Sequence, residues 1–291
     1  MSWLAYDHSP VSYQPMLDRP QTFPNSIAAA LRRSAPRAIR LSEEACTTVA
    51  SYNVHKCVGT DGRFDPMRAV AVLAELDADL VALQEADART GARHGLLDLE
   101  ALRRETDLVP THLPENARSH GWHGNLILAR KGTVHAVRTV RLPGLEPRGA
   151  VIVDLELKGV ALRVVAAHLG LLRHSRAQQA HALVEATHPV MRPTLLLGDF
   201  NEWRVRTRSS LLTLLPHFGP IDAALPSFPS RLPLLALDRI LARPARMIAS
   251  IEVHQSPLAR VASDHLPLKA RLDLESLRTM QSAQAAQPNA L

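Results

Sequence analysis

The sequence predicts an α/β fold, and three observations carry that expectation. Thr47–Tyr52, Leu80–Leu83 and Thr194–Leu197 are short apolar runs of the kind that form buried strands. Between the first two, Ala69, Val70, Leu73 and Leu76 recur at helical spacing, which makes a strand–helix–strand unit. Acids, amides and imidazoles then stand at or beside the ends of the apolar runs, where α/β folds keep their chemistry.

The chain has 291 residues, enough for one large domain or two modest ones. Hydrophobic residues make up 46% and aromatics 4%, so the core must be built from Leu, Val and Ala. A formal charge of +6 invites a polyanionic partner such as nucleic acid. Only four of the basic residues are lysines, and the arginines are scattered, which reads as a solvated basic surface. Cys46 and Cys57 are the only cysteines, too few for a disulfide framework or a zinc cluster. The first residues lack the basic start and apolar stretch of a signal peptide, and no apolar run approaches the ~20 residues that span a bilayer. A cytoplasmic protein with no obligate protein partner is expected.

Residues 1–45 carry scattered prolines and read as a flexible leader, with a basic amphipathic helix over Ile27–Leu41 interrupted by Pro36. The ordered domain is expected over 46–273. Its first strand leads into Asn53, Val54 and His55, followed by a polar loop holding Gly59 and Gly62. Asp65 caps the first helix and Pro66 takes its first turn. The strand Leu80–Leu83 ends in Gln84 and Glu85. Residues 89–120 read as irregular. His112, His120 and His123 match no usual metal spacing and are taken as exposed loop histidines. Gly124-Asn125 opens the strand Leu126–Ala129. Val134–Arg141, Ala150–Leu157 and Val160–Ala166 alternate like paired strands, the last two joined at Lys158-Gly159 and running on to His168. Ser175 is expected to cap a helix reaching about Ala186, and Ser209–Leu215 to form another. Short strands are expected at Leu237–Leu241, Ile248–Val253 and Leu268–Leu272. The Gln- and Ala-rich tail, 274–291, reads as disordered.

Gly198-Asp199-Phe200-Asn201 is the centre of the chain. An acid and an amide two residues apart at a strand end point the same way out of the pleat. Gly198 removes a side chain where the backbone must bend or a ligand must come close. A carboxylate and an amide facing one pocket suit hydrolysis, the first taking a proton from water and the second donating to a phosphoryl oxygen. Asn53, Glu85, His168, Asp238, Asp264 and His265 occupy equivalent strand-end places, and together they point to one convergent pocket. Each has a plainer reading: Asp199 and Asn201 as turn formers, His168 as a core histidine, Asp238 as an ion pair with Arg239, Asn125 as a turn closer.

These motifs resemble the endonuclease/exonuclease/phosphatase, DNase I-like superfamily, in its compact bacterial form. The resemblance rests on Tyr52-Asn53-Val54-His55, Leu83-Gln84-Glu85, Gly124-Asn125, Ala167-His168-Leu169, Gly198-Asp199-Phe200-Asn201, Leu237-Asp238-Arg239-Ile240 and Ser263-Asp264-His265-Leu266-Pro267, in the family's order. It implies a four-layer α/β sandwich, two mixed β-sheets face to face with helices outside. It also implies a phosphoester hydrolase, a phosphodiesterase ahead of a phosphomonoesterase, with Mg²⁺ or Mn²⁺ at Glu85 and with Asn53 and Asp264 nearby. Asp199 would orient and deprotonate water. Asn201 and His168 would hold phosphoryl oxygens, and His265 would donate to them while Asp238 keeps it protonated. Asn125, His55, Arg173 and Trp203 are second-tier candidates for substrate contact; Trp203 and Arg173 line the pocket mouth or cover the core. His55 stands where the family's abasic endonucleases carry an acid, which points away from that subgroup. The substrate class stays open between nucleic acid, a phospholipid head group and a small metabolite, with a non-catalytic scaffold retaining the fold as the other reading.

Overall fold

The computed structural model describes residues 46–88, 91, 93–112, 118–188, 192–204, 206–220, 224–275 and 277–279. The expected leader, its helix and the end of the tail lie outside them. The first sheet holds β1 (Cys46–Asn53), β2 (Leu80–Gln84), β3 (Val109–Pro110), β4 (Leu126–Ala129), β10 (Ile248–Val253) and β11 (Leu268–Asp273). Its strand order is β10-β11-β1-β2-β4-β3. The second holds β5 (Thr133–Leu142), β6 (Arg148–Leu157), β7 (Val160–His168), β8 (Thr194–Asp199) and β9 (Asp238–Arg243), in sequence order. Both are mixed: β1 pairs parallel with β2 and β7 parallel with β8, and the other pairings are antiparallel. Helices make the parallel crossovers, as parallel pairing requires: α1 (Pro66–Leu76) between β1 and β2, and α3 (Arg173–Thr187) between β7 and β8.

Alternation along the strands builds the layers. Val49, Leu80, Ala82, Leu195, Leu197 and Ile240 belong to one core shared by the two sheets. Their neighbours Ala50, Val81 and Leu83 pack instead with Val70 and Leu73 of α1, Leu102 of α2 (Leu99–Thr106) and Ala259 of α4 (Ala259–Ala262). On the other side Leu196 and Leu241 pack with Ala180 and Leu183 of α3. Strands covered on both faces read as unbroken apolar runs, which is why Thr194–Leu197 shows no polar alternation. The expected four-layer sandwich is the observed one. Among the described residues, no helix is long and apolar enough to cross a membrane.

The local signals hold at α1, where the Asp65 side chain accepts from Met67 N at 3.1 Å. They fail at three places. α2 lies inside the stretch read as irregular, capped by Asp98, which accepts from Glu100 N and Ala101 N. Its buried face is little more than Ala101 and Leu102, too short to register as a period. α3 begins at Arg173 with no side-chain cap. Ser175 is buried inside it, and the buried Arg176 instead ties down the carbonyls of Gly170 and Leu171. Between Ser209 and Leu215 only a 3-10 turn forms, Leu212–Leu214, because Ser210 is held by Glu202 through both its N–H and its hydroxyl. The tail also begins later than expected. Leu274 and Leu277 are buried between the sheets, one helical turn apart, so the packed chain runs past 273.

Leu197 sits in the inter-sheet core two residues before Asp199 and is fully buried. Leu197→Ala should lower the unfolding free energy by about 2–5 kcal/mol in urea titration. A loss under ~1 kcal/mol would show that this layer is not packed as described.

Candidate active site

Two-residue alternation carries the inner faces of both sheets to one rim. Val164, Ala166 and then His168 follow each other on β7, Leu195, Leu197 and then Asp199 on β8, and Ile240 and Asp238 on β9. Register places His168 opposite Asp199, and Asp199 opposite Asp238. From the first sheet, Asn53 ends β1 beside Gln84 of β2. The candidate residues thus gather where the inter-sheet core opens.

Asp199 is the hub. Its Oδ2 accepts from Asn53 Nδ2 at 3.0 Å and lies 3.4 Å from His168 Nε2 and 3.6 Å from His265 Nε2. Its Oδ1 accepts from Asn201 N at 2.9 Å. That last bond closes a turn in which Asn201 takes a φ of +51°, so Asn201 leaves the strand and does not follow its pleat as expected. Its amide reaches Leu169 O at 3.0 Å and lies 3.2 Å from His168 Nε2. Of the two expected reasons for Gly198, the backbone's and not a ligand's is the one seen. A Cβ there would meet Ala167 O at 1.8 Å, so what comes close is the backbone of β7, not a ligand.

His265 joins the two carboxylates. Its Nδ1 lies 2.8 Å from Asp238 Oδ2, and Ser227 Oγ donates to the same oxygen at 2.5 Å. Phe228 packs on the imidazole with ring centres 4.9 Å apart. The Pro-rich loop before β9 is therefore part of the site, which the sequence does not announce. Burial opposes charge on His265, but Asp238 and Asp199 overcome it and raise its pKa to about 10. Burial drives His168 the other way, down to about 4, with Arg148 adding to the fall and Asp199 resisting it. One buried histidine is held as a cation and its neighbour as a neutral ring. Asp238 makes no ion pair with Arg239; adjacent strand residues face opposite ways, and Arg239 donates to the carbonyls of Ala236, Asp238 and Glu202.

Beside this hub lies a second carboxylate. Glu85 has a φ of +56° just past β2 and pairs with Lys56. Burial works against its ionised form, yet His168 and the Lys56 ammonium bring its pKa down to about 2. Lys56 is aimed by a left-handed turn in which His55, Lys56 and Cys57 all have φ between +47° and +60°. The same turn sets His55 Nδ1 3.7 Å from Asp264 Oδ1. Ser263 Oγ donates to Asn53 O at 2.7 Å and fixes the Asp264-His265 segment against β1.

Two donor sets bear on metal binding. Asp199, Asp238 and His265 bring one ligand atom each within 4.8 Å of one another. They could hold a cation only with His265 deprotonated, and its Nδ1 is already engaged by Asp238. Glu85 fits better: its carboxylate is ionised, it faces a cavity, and it already holds a cationic group. A single carboxylate with room for water is what Mg²⁺ asks of a protein.

The second-tier candidates divide. His55 is at the site. Asn125 spends its amide donors on Trp122 O and Gly149 O and closes a turn. Arg173 is exposed on α3, and Trp203 is 50% exposed with the Arg204 guanidinium stacked 4.5 Å from its ring centre. Neither has a contact to the hub among the described residues. Of the loop histidines, His112 is exposed, but His120 bonds Leu97 O at 2.8 Å and His123 lines the cavity beside Glu85.

The raised pKa of His265 has a definite sign for stability. Its folded value is about 10 against an ordinary 6.5, so the pairing stabilises fully below the lower value and is lost as pH rises through the upper one. Asp238→Asn should bring the ring titration, followed by NMR, down by more than ~1 unit. A wild-type His265 that titrated near 6.5 would refute the pairing.

Comparison with known proteins agrees with this geometry. A family model described as the Endonuclease/Exonuclease/phosphatase family matches residues 50–265. The uncharacterized protein YbhP of Escherichia coli K12 is 34% identical over 169 residues, 53% of this chain and 64% of that protein. The match therefore spans less than two thirds of that relative's length. Among solved structures, an endonuclease/exonuclease/phosphatase from Beutenbergia cavernae superposes with a TM-score of 0.61 at 22% identity, over 79% of this chain and 72% of that one. The mannosyl-6-phosphatase Bt3783 of Bacteroides thetaiotaomicron gives 0.56 at 16% identity, over 77% and 98%. At such identities the structures speak for the fold, while the family match covers every candidate residue from Asn53 to His265: the chain belongs to the endonuclease/exonuclease/phosphatase family.

Proposed function

We propose that this protein is a divalent-cation-dependent phosphoester hydrolase acting on phosphodiesters. The observation that carries the reading is the Asp199 carboxylate, buried at the rim and held by Asn53, Asn201 N and the imidazoles of His168 and His265. In it, Asp199 orients a water and takes its proton as the water oxygen bonds to phosphorus. Asn201 Nδ2 and His168 flank the non-bridging oxygens. His265, cationic through Asp238, donates from Nε2 to the charge that grows there. The bond to the leaving oxygen breaks, that oxygen takes a proton from solvent, and an alcohol and a phosphomonoester result. Glu85 would hold Mg²⁺ or Mn²⁺, with Asn53 and Asp264 as the other candidate ligands, and the cation would supply neutralisation of charge on the phosphoryl and leaving oxygens. Phosphate esters need barrier reductions of roughly 20 kcal/mol, more than one group provides, which accords with so many groups converging.

The cleft beside Glu85 extends beyond the reacting centre. A cavity of about 50 Å³ beside Glu85 and His168 shares Arg93, His123 and Pro147 with a wider one of about 360 Å³. There is room for a substituent beyond the phosphorus.

The test is hydrolysis of bis-p-nitrophenyl phosphate, p-nitrophenyl phosphate, plasmid DNA, RNA, inositol phosphates and phospholipid vesicles, each with Mg²⁺, Mn²⁺ or EDTA. Wild type should cleave a diester faster than the monoester, and EDTA should abolish turnover. Asp199→Ala should lower kcat by about 10²–10⁴-fold. Equal rates for wild type and Asp199→Ala on every substrate would end the proposal. Glu85→Gln should weaken Mn²⁺ binding, read by electron paramagnetic resonance, by at least ~10-fold. Unaltered Mn²⁺ affinity would move the cation site elsewhere.

A further inference from the structure

Leading away from the hub, the cleft becomes cationic. Arg93, His123 and Arg148 line the inner cavity, and Arg141 joins Arg93 and His123 in the wider one. The acids in these walls are largely committed. Asp87 accepts from Ser119 Oγ and from the backbone N–H groups of His120 and Gly121. Glu85 is held by Lys56, and Glu146 takes both Arg148 Nε at 3.2 Å and Nη2 at 2.9 Å. Arg93 and Arg141 have no carboxylate partner among the described residues. Two guanidinium charges are thus left facing the groove.

His123 sharpens the case. Its Nδ1 lies 2.8 Å from Arg93 Nη1 and 2.9 Å from Pro147 O. If Nδ1 carries a proton it satisfies Pro147 and faces the Arg93 donor; if it carries a lone pair it satisfies Arg93 and faces the carbonyl. One contact is poor in either tautomer, so Arg93 gains by turning to an anion. Burial and then the charges of Arg93, Arg141 and Arg148 lower the pKa of His123, a sign that the groove is already positive. Arg93 and His123 also have φ of +48° and +51°, a backbone cost that the fold accepts in presenting them.

We propose that the groove formed by Arg93, Arg141 and His123 binds a second phosphate of the substrate, carried on the same molecule as the ester cleaved beside Asp199. Guanidinium forks match phosphate oxygens in pairs, and a dianion answers the two unpaired cations. This rests on the phosphoester reading above and names its substrate class: a diester that bears a further phosphate group, whether on a nucleotide or on a head group.

The probes are two matched pairs. One is thymidine 5′-(p-nitrophenyl phosphate) with and without a 3′-phosphate. The other is glycerophosphoinositol with and without a 4-phosphate. Wild type should favour the phosphorylated member of at least one pair by about 10-fold or more in kcat/KM, mainly through KM. Which pair responds tells a nucleotide from a head group. Arg93→Ala and Arg141→Ala should each cut that preference to under ~3-fold, and Arg93→Lys should restore part of it. Binding of thymidine 3′,5′-bisphosphate against thymidine 5′-phosphate, by calorimetry, follows the same residues without turnover. Equal kcat/KM within both pairs, or a preference that survives both alanine variants, would overturn the subsite. If wild type hydrolysed none of the four esters, the hydrolase reading would fall. The calorimetric preference for the bisphosphate, present in wild type and lost in Arg93→Ala, would then decide the subsite alone.

Discussion

Two carboxylates stand directly opposite each other on neighbouring strands at the mouth of the sandwich, Asp199 on β8 and Asp238 on β9. Like charges in that position repel, and here they are buried as well. The arrangement persists because His265 lies against both, 2.8 Å from one and 3.6 Å from the other, and takes a proton. Three neighbouring groups help to keep this triad. Ser227 donates to the same Asp238 oxygen that faces His265, Phe228 covers the ring, and Ser263 anchors the segment that delivers it. Replacing one member leaves a buried charge unpaired, which costs far more than an exposed ion pair is worth.

The contrast with His168 explains how one cavity offers two kinds of imidazole. His168 also lies near Asp199, but it has no second carboxylate bonded to its far nitrogen among the described residues, and Arg148 adds a like charge. Burial therefore wins. The consequence is chemical: a neutral ring and a cationic ring flank the same oxygen of Asp199, so a group bound there meets a fixed donor on one side and a ring of either tautomer on the other. Two histidines in one sequence, with no charge written on either, become different reagents through their partners.

How much of this the sequence discloses depends on the range of each interaction. The strands β1, β2, β7 and β8 and the start of α1 are legible because burial on two faces and a local Asp-Pro cap leave local marks. The motif residues are legible as a set, since Asn53, Glu85, His168, Asp199, Asp238 and His265 all end or flank apolar runs. What escapes is whatever depends on partners distant in the chain. Glu202 reads as the polar residue after a motif, yet it is fully buried and holds Ser210 and Arg176, so it rigidifies the loop behind Asn201. Arg176 looks like any helix arginine. Ser227 lies in a proline-rich stretch with no period. Arg93 and His123 are thirty residues apart in a region without pattern, and only the folded chain shows them side by side.

Backbone strain draws the same boundary by another route. Among the described residues, ten that are not glycine have positive φ. Asp77 and Asp107 end helices, and Lys158 turns a hairpin, which are ordinary uses of that conformation. The remaining seven are His55, Lys56, Cys57, Glu85, Arg93, His123 and Asn201, and apart from Cys57 each presents a polar side chain at the active-site rim or its cationic extension. At roughly 1–3 kcal/mol for the unfavourable cases, their combined cost is comparable with the net stability of a whole domain. Turn formation alone would have put glycine or asparagine at most of these places. Side chains with charge are kept there against that cost, and the three cores of buried Leu, Val and Ala supply the stability that makes it tolerable. Four of them, Lys56, Glu85, Arg93 and His123, line one cavity, so the candidate cation site and the cationic groove are held by the same device.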